Sequence, residues 1–351
     1  MLEKGKELGG GRLAHLELLR LLACFCVVFN HTQGCIKLYE YGSGAVTFPA
    51  FVRLFIAMTV KINVPVFYMI TGSLLLNRDR GYREIFGRIS KMFSILLIFS
   101  IVSHAFYKGE FYFPGFIRNF ASATVDGAGP YWYLYSYLGI LLILPFLRSI
   151  AARMNTRDVS YLIGARLVIG AVIPMLYLIV NRIIDSNMYV AESFQPAMII
   201  VDCVFYPLVG YGIDRCLEEK ETLNYNRIFL AFLFVTADIL GVVAMLISGN
   251  GESFDGFVFV MVISFFVFIK KSVSKSSHRA DGIISALGAL TFGIYLLDPI
   301  IGTFFKRLFT FKGDCRMFWS SIFYCIFSMT VGGLITFFYK IFKEKIFSKY
   351  A

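Results

Sequence analysis

Long apolar runs separated by short polar breaks dominate the chain. Ten of them approach the ~20 residues a helix needs to cross the hydrocarbon of a bilayer. They cover roughly 15–36, 50–76, 89–107, 132–150, 161–184, 196–216, 227–248, 256–271, 282–305 and 317–341, the eighth being the shortest. The runs are too long and too uniform for barrel strands, and an open sheet edge is forbidden in lipid, so all ten predict helices. The expected fold class is therefore all-α: a polytopic integral membrane protein with about ten transmembrane helices.

Composition agrees with this pattern. Of 351 residues, 58% are hydrophobic, 16% are charged and 38 are Phe, with a mean hydropathy of +0.70. Soluble domains average about 25% charged residues. A globule of this size could not hide so much apolar surface, which excludes a soluble enzyme, a disordered chain and a disulfide-stapled secreted domain. The first run resembles a signal-peptide core, but no small-residue cleavage site follows it. It is expected to stay as a permanent helix. No extramembrane domain, low-complexity tract or internal repeat is apparent. One membrane-embedded domain over 1–351 is expected, with a core of about 13–345 and short cytoplasmic ends. The connection at about 108–130 contains Pro114, Gly127, Gly129 and Pro130 and predicts a structured loop over the outer face.

The net charge of +11 raises the question of nucleic acid, but position answers it. The basic residues fall in short clusters between apolar runs, with no long aromatic-interleaved patch to follow a phosphate backbone, so no nucleic-acid partner is expected. Of 34 Lys and Arg, 23 fall on one side of the ten-span pattern, in the N-terminal segment, alternate connections and the tail. By the positive-inside rule that side is cytoplasmic, which puts both termini inside and leaves the bilayer as solvent for the rest. The seven cysteines form no C-x-x-C pair and no His/Cys zinc spacing, so they predict small buried hydrophobes and no metal site.

Against this background the intramembrane polar residues are the candidates for chemistry, because ionisable groups in hydrocarbon are costly. In the first span, Arg20 and His31 are eleven positions apart. At ~100° and ~1.5 Å per residue they return to within about 20° of one face, about 16 Å apart along the axis. Glu17 can pair with Arg20 one turn away. Two readings stand: a snorkelling Arg with a hydrogen-bonded His, or a path from a cation at the inner surface to an imidazole in the membrane. The second span carries Lys61 and Asn63 near mid-depth and Pro65, read as a kinked helix or an opened site. The basic stretch NRDRGYREIFGRISKMF follows, with Arg83, Arg88 and Lys91, and serves either topology or a phosphate cradle. Trp132 and Tyr133 open the fourth span, as an interfacial belt or as the lining of a sugar site. Asp298 precedes Pro299 in the ninth span at a depth similar to that of His31, which permits a pair. His104, Arg166, Asp202 and Asp238 are more simply structural.

Taken in order, R-x10-H in the first span, VPVFYMITGSLLL in the second, the basic R-x-x-K entering the third, GPYWYLYSYLGILLILPFL in the fourth, YPLVGYGI in the sixth and FGIYLLDPI in the ninth resemble acyltransferase family 3. The resemblance runs from about 13 to 345 and covers the acyltransferase domain only. It implies a ten-helix bacterial cytoplasmic-membrane protein that modifies cell-surface carbohydrate. The family's R-x10-H falls on Arg20 and His31, and its R-x-x-R on Arg88 and Lys91. Its usual Y-L-x-H-P has Asp298 in place of the His. The expected reaction is acyl transfer, most simply of acetyl from acetyl-CoA as co-substrate with no bound cofactor, to a hydroxyl of a glycan or lipid-linked sugar. His31, Asp298 and Glu17 are then the catalytic candidates. Arg20, Arg83, Arg88 and Lys91 are the donor-phosphate candidates, and Lys61, Asn63, Trp132 and Tyr133 the acceptor or cavity candidates. A secondary transporter and a non-catalytic subunit of a polysaccharide assembly complex are the rival readings.

Overall fold

The computed structural model describes residues 11–32, 47–78, 81–109, 112–186, 201–216, 226–248, 255–273, 278–309 and 314–350. Its helices are α1 (Gly11–His31), α2 (Phe48–Val60), α3 (Asn63–Leu75), α4 (Tyr82–Lys108), α5 (Phe113–Ala121), α6 (Trp132–Ala151) and α7 (Thr156–Leu167). They continue with α8 (Ile173–Ile184), α9 (Asp202–Arg215), α10 (Arg227–Ser248), α11 (Asp255–Val273), α12 (His278–Gly288), α13 (Thr291–Leu308) and α14 (Asp314–Tyr350). No strand occurs among the described residues.

Eight segments among these are long and apolar enough to cross a membrane, and α12 with α13 forms a ninth, bent by 44°. The sixth expected span is described only from Asp202; the rest of it lies outside the described residues. The chain is an all-α polytopic membrane protein, as its apolar pattern predicts.

Three spans are less regular than expected. The second breaks at Lys61–Ile62 into α2 and α3. Pro65 has no N–H, so the Lys61 carbonyl loses its helical partner, and the chain turns through tighter bonds from Lys61 N to Met58 O and Ile62 N to Thr59 O. The fifth begins at Thr156, under a capping box made by Asn155 and Asp158, and passes through a π-turn at Val168–Val172. The ninth breaks at Ala289–Leu290.

Without a hydrophobic drive between helices in lipid, close contact relies on small residues that let backbones touch. The α3–α9 contact is built this way. A Cβ on Gly72 would stand 1.9 Å from the Pro207 carbonyl oxygen, and one on Gly210 would stand 2.3 Å from that of Met69. Ser73 Oγ adds a bond to the Gly210 carbonyl at 3.1 Å. Around this pair, α1 packs on α3, α11, α12, α13 and α14, which makes it the central helix.

The connection between α4 and α6, expected as a loop over the outer face, is structured. It forms α5 and a turn that reaches α6 through a short 3-10 segment, Gly129–Tyr131. Gly127 takes φ +75°, and a Cβ there would strike Tyr107 and the Ser103 carbonyl, so only glycine lets the turn lie against α4. Lys108 Nζ pairs with Asp126 at 2.6 Å, and Tyr131 hydroxyl donates to the Leu296 carbonyl at 2.6 Å. Tyr295 hydroxyl donates to the Pro130 carbonyl. These bonds fasten the turn to α4 and α13.

Candidate active site

His31 is the last residue of α1, and Thr32 anchors that end. Its hydroxyl bonds the Phe29 carbonyl at 2.7 Å and the Ser321 hydroxyl of α14 at 2.8 Å. His31 Nδ1 lies 2.8 Å from Asp298 Oδ2, so the pair that similar depth permitted is formed. The other carboxylate oxygen accepts from Tyr324 hydroxyl at 2.6 Å and from Ser328 Oγ at 2.8 Å. Tyr324 and Ser328 stand one turn apart on α14 and meet Asp298 from one face. The Asp298 side chain is 2% exposed, whereas that of His31 is 21% exposed.

This geometry assigns roles to the imidazole nitrogens. A carboxylate on Nδ1 favours a proton there and leaves the Nε2 lone pair to take another. Once His31 is protonated, Asp298 stabilises the cation, and the two α14 hydroxyls keep the carboxylate aimed. Tyr324 and Ser328 were not anticipated. Their signal is two hydroxyls at i and i+4 in an otherwise apolar span.

A cavity of about 930 Å³ opens on His31 and runs to the basic end of the bundle, where Arg20, Arg78 and Arg88 line it. Tyr68, Tyr133 and Tyr137 line its walls, and Trp132 and the Gly129–Pro130 turn lie at the His31 end. Lys61 and Asn63 also line it, beside the α2–α3 break. Of the four expected acceptor or cavity residues, all four face this space. Of the four expected donor residues, Arg20 and Arg88 line it, whereas Arg83 and Lys91 are exposed on α4 and are not among its lining residues. Arg78, three residues past the end of α3, takes their place.

Glu17, grouped with His31 at first, stands at the basic end instead. Both of its carboxylate oxygens lie on Arg20 NH1, at 2.7 and 2.8 Å. Fourteen helical positions put it about 21 Å from His31 at ~1.5 Å per residue, so its partner is the guanidinium and it belongs to the Arg20 group.

A second cavity of about 350 Å³ meets the first at His31, Gly129 and Pro130. It lies between the ends of α1, α4, α13 and α14, away from the basic end.

The remaining intramembrane polar residues have structural partners. Arg166, buried, pairs with Asp202 at 2.7 Å and covers the Phe205 ring. Asp202 also lines the large cavity. Asp238 accepts from the Thr59 hydroxyl, and the His104 ring lies tilted against that of Phe116, 5.8 Å between centroids. A second His–Asp contact also exists on α1. His15 Nε2 is 3.3 Å from Asp214 Oδ1, and Lys270 Nζ is 3.2 Å from the same oxygen. Cys24 and Cys325 are buried, and Cys26, Cys203 and Cys216 half-buried, none of the five in a disulfide; Cys35 and the Cys315 side chain lie outside what is described.

The fold and site thus define a multi-pass membrane protein with an internal cavity joining a cluster of arginines to a carboxylate-held histidine. The family model described as an acyltransferase domain matches residues 13–337, nearly the whole length. The chain belongs to that family and is a membrane acyltransferase. No curated protein and no solved structure matches it.

Proposed function

We propose that the protein transfers an acyl group, most simply acetyl, from acyl-CoA to a hydroxyl of a cell-surface or lipid-linked carbohydrate across the bacterial cytoplasmic membrane. In this reading the chain is one acyltransferase domain with its termini in the cytoplasm. The observation that carries the proposal is one continuous cavity with three arginines at one end and His31 on Asp298 at the other.

Arginine forks suit phosphates, so Arg20, Arg78 and Arg88 hold the phosphates of coenzyme A at the cytoplasmic mouth. Glu17 keeps Arg20 turned toward its own helix and aligned. The pantetheine arm then extends along the tyrosine-lined wall and delivers its thioester to the region of His31. There the acceptor hydroxyl loses its proton to Nε2 as its oxygen bonds to the thioester carbonyl carbon. The carbon–sulfur bond breaks, the coenzyme leaves as a thiolate, and the proton on Nε2 passes to that sulfur. His31 ends neutral, and Asp298 stays a carboxylate throughout.

Purified, detergent-solubilised protein and radiolabelled acetyl-CoA test this. Saturable binding by wild type, weakened in Arg20→Ala, is the expected result, with turnover lost in His31→Ala while binding persists. Failure of wild type to bind or turn over acetyl-CoA would sink the proposal at its donor.

A further inference from the structure

The smaller cavity has no part in the donor path, yet it shares His31 with it. We propose that this 350 Å³ space is the acceptor subsite and that it is built for a sugar ring. The inference rests on the acyl-transfer reading and adds where the acceptor binds and what chemistry selects it.

Three features support it. The first is access. Gly129, Pro130 and His31 line both cavities, so the imidazole stands where two separately entered molecules meet. The large cavity reaches the basic end of the bundle, and the small one opens among the opposite ends of α1, α4, α13 and α14.

The second is lining chemistry. Thr32, Thr303, Ser320 and Ser321 bring four hydroxyls, and Lys306 is the one cation among the lining residues. The Thr303 hydroxyl already donates to the Pro299 carbonyl at 2.9 Å, and Thr32 and Ser321 are bonded to each other. The Thr303 and Thr32 hydroxyls, their protons already given to protein acceptors, therefore face the space as acceptors, which suits a ligand carrying O–H donors. Tyr107 and Phe309 add exposed aromatic faces against which the C–H face of a sugar can pack. A volume of this size lies within the roughly 300–1,000 Å³ of small-molecule sites. The phosphate-binding arginines of the large cavity are absent from this lining.

The third is rigidity. The shared Gly129–Pro130 wall is fastened by Tyr295 and by Tyr131, whose hydroxyl also contacts Ser103 at 2.9 Å. On the far side, Arg307 donates to the Phe106 carbonyl at 2.9 Å and ties the end of α13 to the end of α4. The subsite is thus preformed, and a ligand entering it does not bear the cost of ordering the walls.

Lys306 offers a clean test because it lines this cavity, does not line the donor cavity, and is exposed to reagent. Lys306→Cys in the full-length protein is allowed to fold and is then modified with a bulky methanethiosulfonate reagent. Treated wild type serves as the control for native thiols. Two quantities are read on the same membranes: saturable binding of radiolabelled acetyl-CoA, and transfer of the label into the membrane carbohydrate fraction.

Modification is expected to cut transfer at least about tenfold, because it displaces the acceptor from His31. Donor binding should stay at the level of the unmodified variant. Thr303→Trp, which fills the cavity from inside, should reproduce the pattern. Unchanged transfer after complete modification would overturn the subsite. So would parallel loss of donor binding, since the space would then serve the donor. If unmodified wild type binds no acetyl-CoA at all, the underlying acyl-transfer reading fails instead, and the two failures are distinguishable.

Discussion

Helix α1 carries two histidines sixteen residues apart, and each faces an aspartate from another helix. Their surroundings differ. His15 and Asp214 are sealed, with side chains 5% and 6% exposed, and Lys270 shares the carboxylate while also donating to the Ile213 carbonyl at 3.0 Å. The Phe266 ring closes the edge, and no described cavity reaches the group. His31 has a carboxylate to itself, braced by two hydroxyls, and opens onto both cavities. A His–Asp contact in a membrane bundle is therefore no site by itself. His15 fastens α1 to α9 and α11, whereas access and a single well-held partner make His31 available for proton transfer.

The comparison can be broken most sharply by exchanging alanine at the two histidines. His31→Ala should lower transfer by about 10²–10⁴-fold, the usual range for a general base, with normal insertion and normal acetyl-CoA binding. His15→Ala should act on stability and leave the turnover of folded protein near wild type. A thermal-shift measurement beside the transfer assay reads both, and a catalytic collapse in His15→Ala at unchanged stability would reverse the assignment.

The aspartates give the next contrast. Asp298→Asn keeps shape but removes the charge that fixes the imidazole, and should reduce turnover by about a hundredfold with little change in the KM for acetyl-CoA. Asp214→Asn leaves Lys270 without its buried carboxylate and should cost stability instead, by about 3–5 kcal/mol where a buried pair is broken. A smaller effect is expected for Arg20→Ala: loss of one forked, charge-assisted contact should raise the KM for acetyl-CoA about tenfold and spare kcat. The smallest belongs to Tyr324→Phe. One hydrogen bond to Asp298 is worth about 1 kcal/mol, so turnover should fall a few-fold, and Ser328→Ala in addition should deepen the loss.

Much of this arrangement was legible in the chain. The spans are dictated by apolar length, and Pro65 marks the broken second span. Arg20 and His31 declare a shared face through their eleven-position separation, and the similar depths of His31 and Asp298 are simple helix arithmetic. Four things were not legible, for physical reasons. Charge and spacing cannot tell which side of a helix faces the bundle, so Arg83 and Lys91 read like Arg88 although they are exposed on α4. The role of Arg78 depends on how the chain leaves α3, which no periodicity fixes. The second cavity forms where four helix ends and a glycine-permitted turn converge, and nothing in any one segment announces it. The α12–α13 bend at Ala289–Leu290 likewise has no proline to signal it.

The central claim is that His31, held by Asp298, accepts the proton of an attacking hydroxyl at the end of the donor cavity. The most direct measurement is transfer of radiolabelled acetyl from acetyl-CoA by purified wild type and His31→Ala, with donor binding measured on the same preparations. The account predicts equal binding and a loss of transfer of at least about a hundredfold in the variant. Near-wild-type transfer by a folded, donor-binding His31→Ala protein would contradict it.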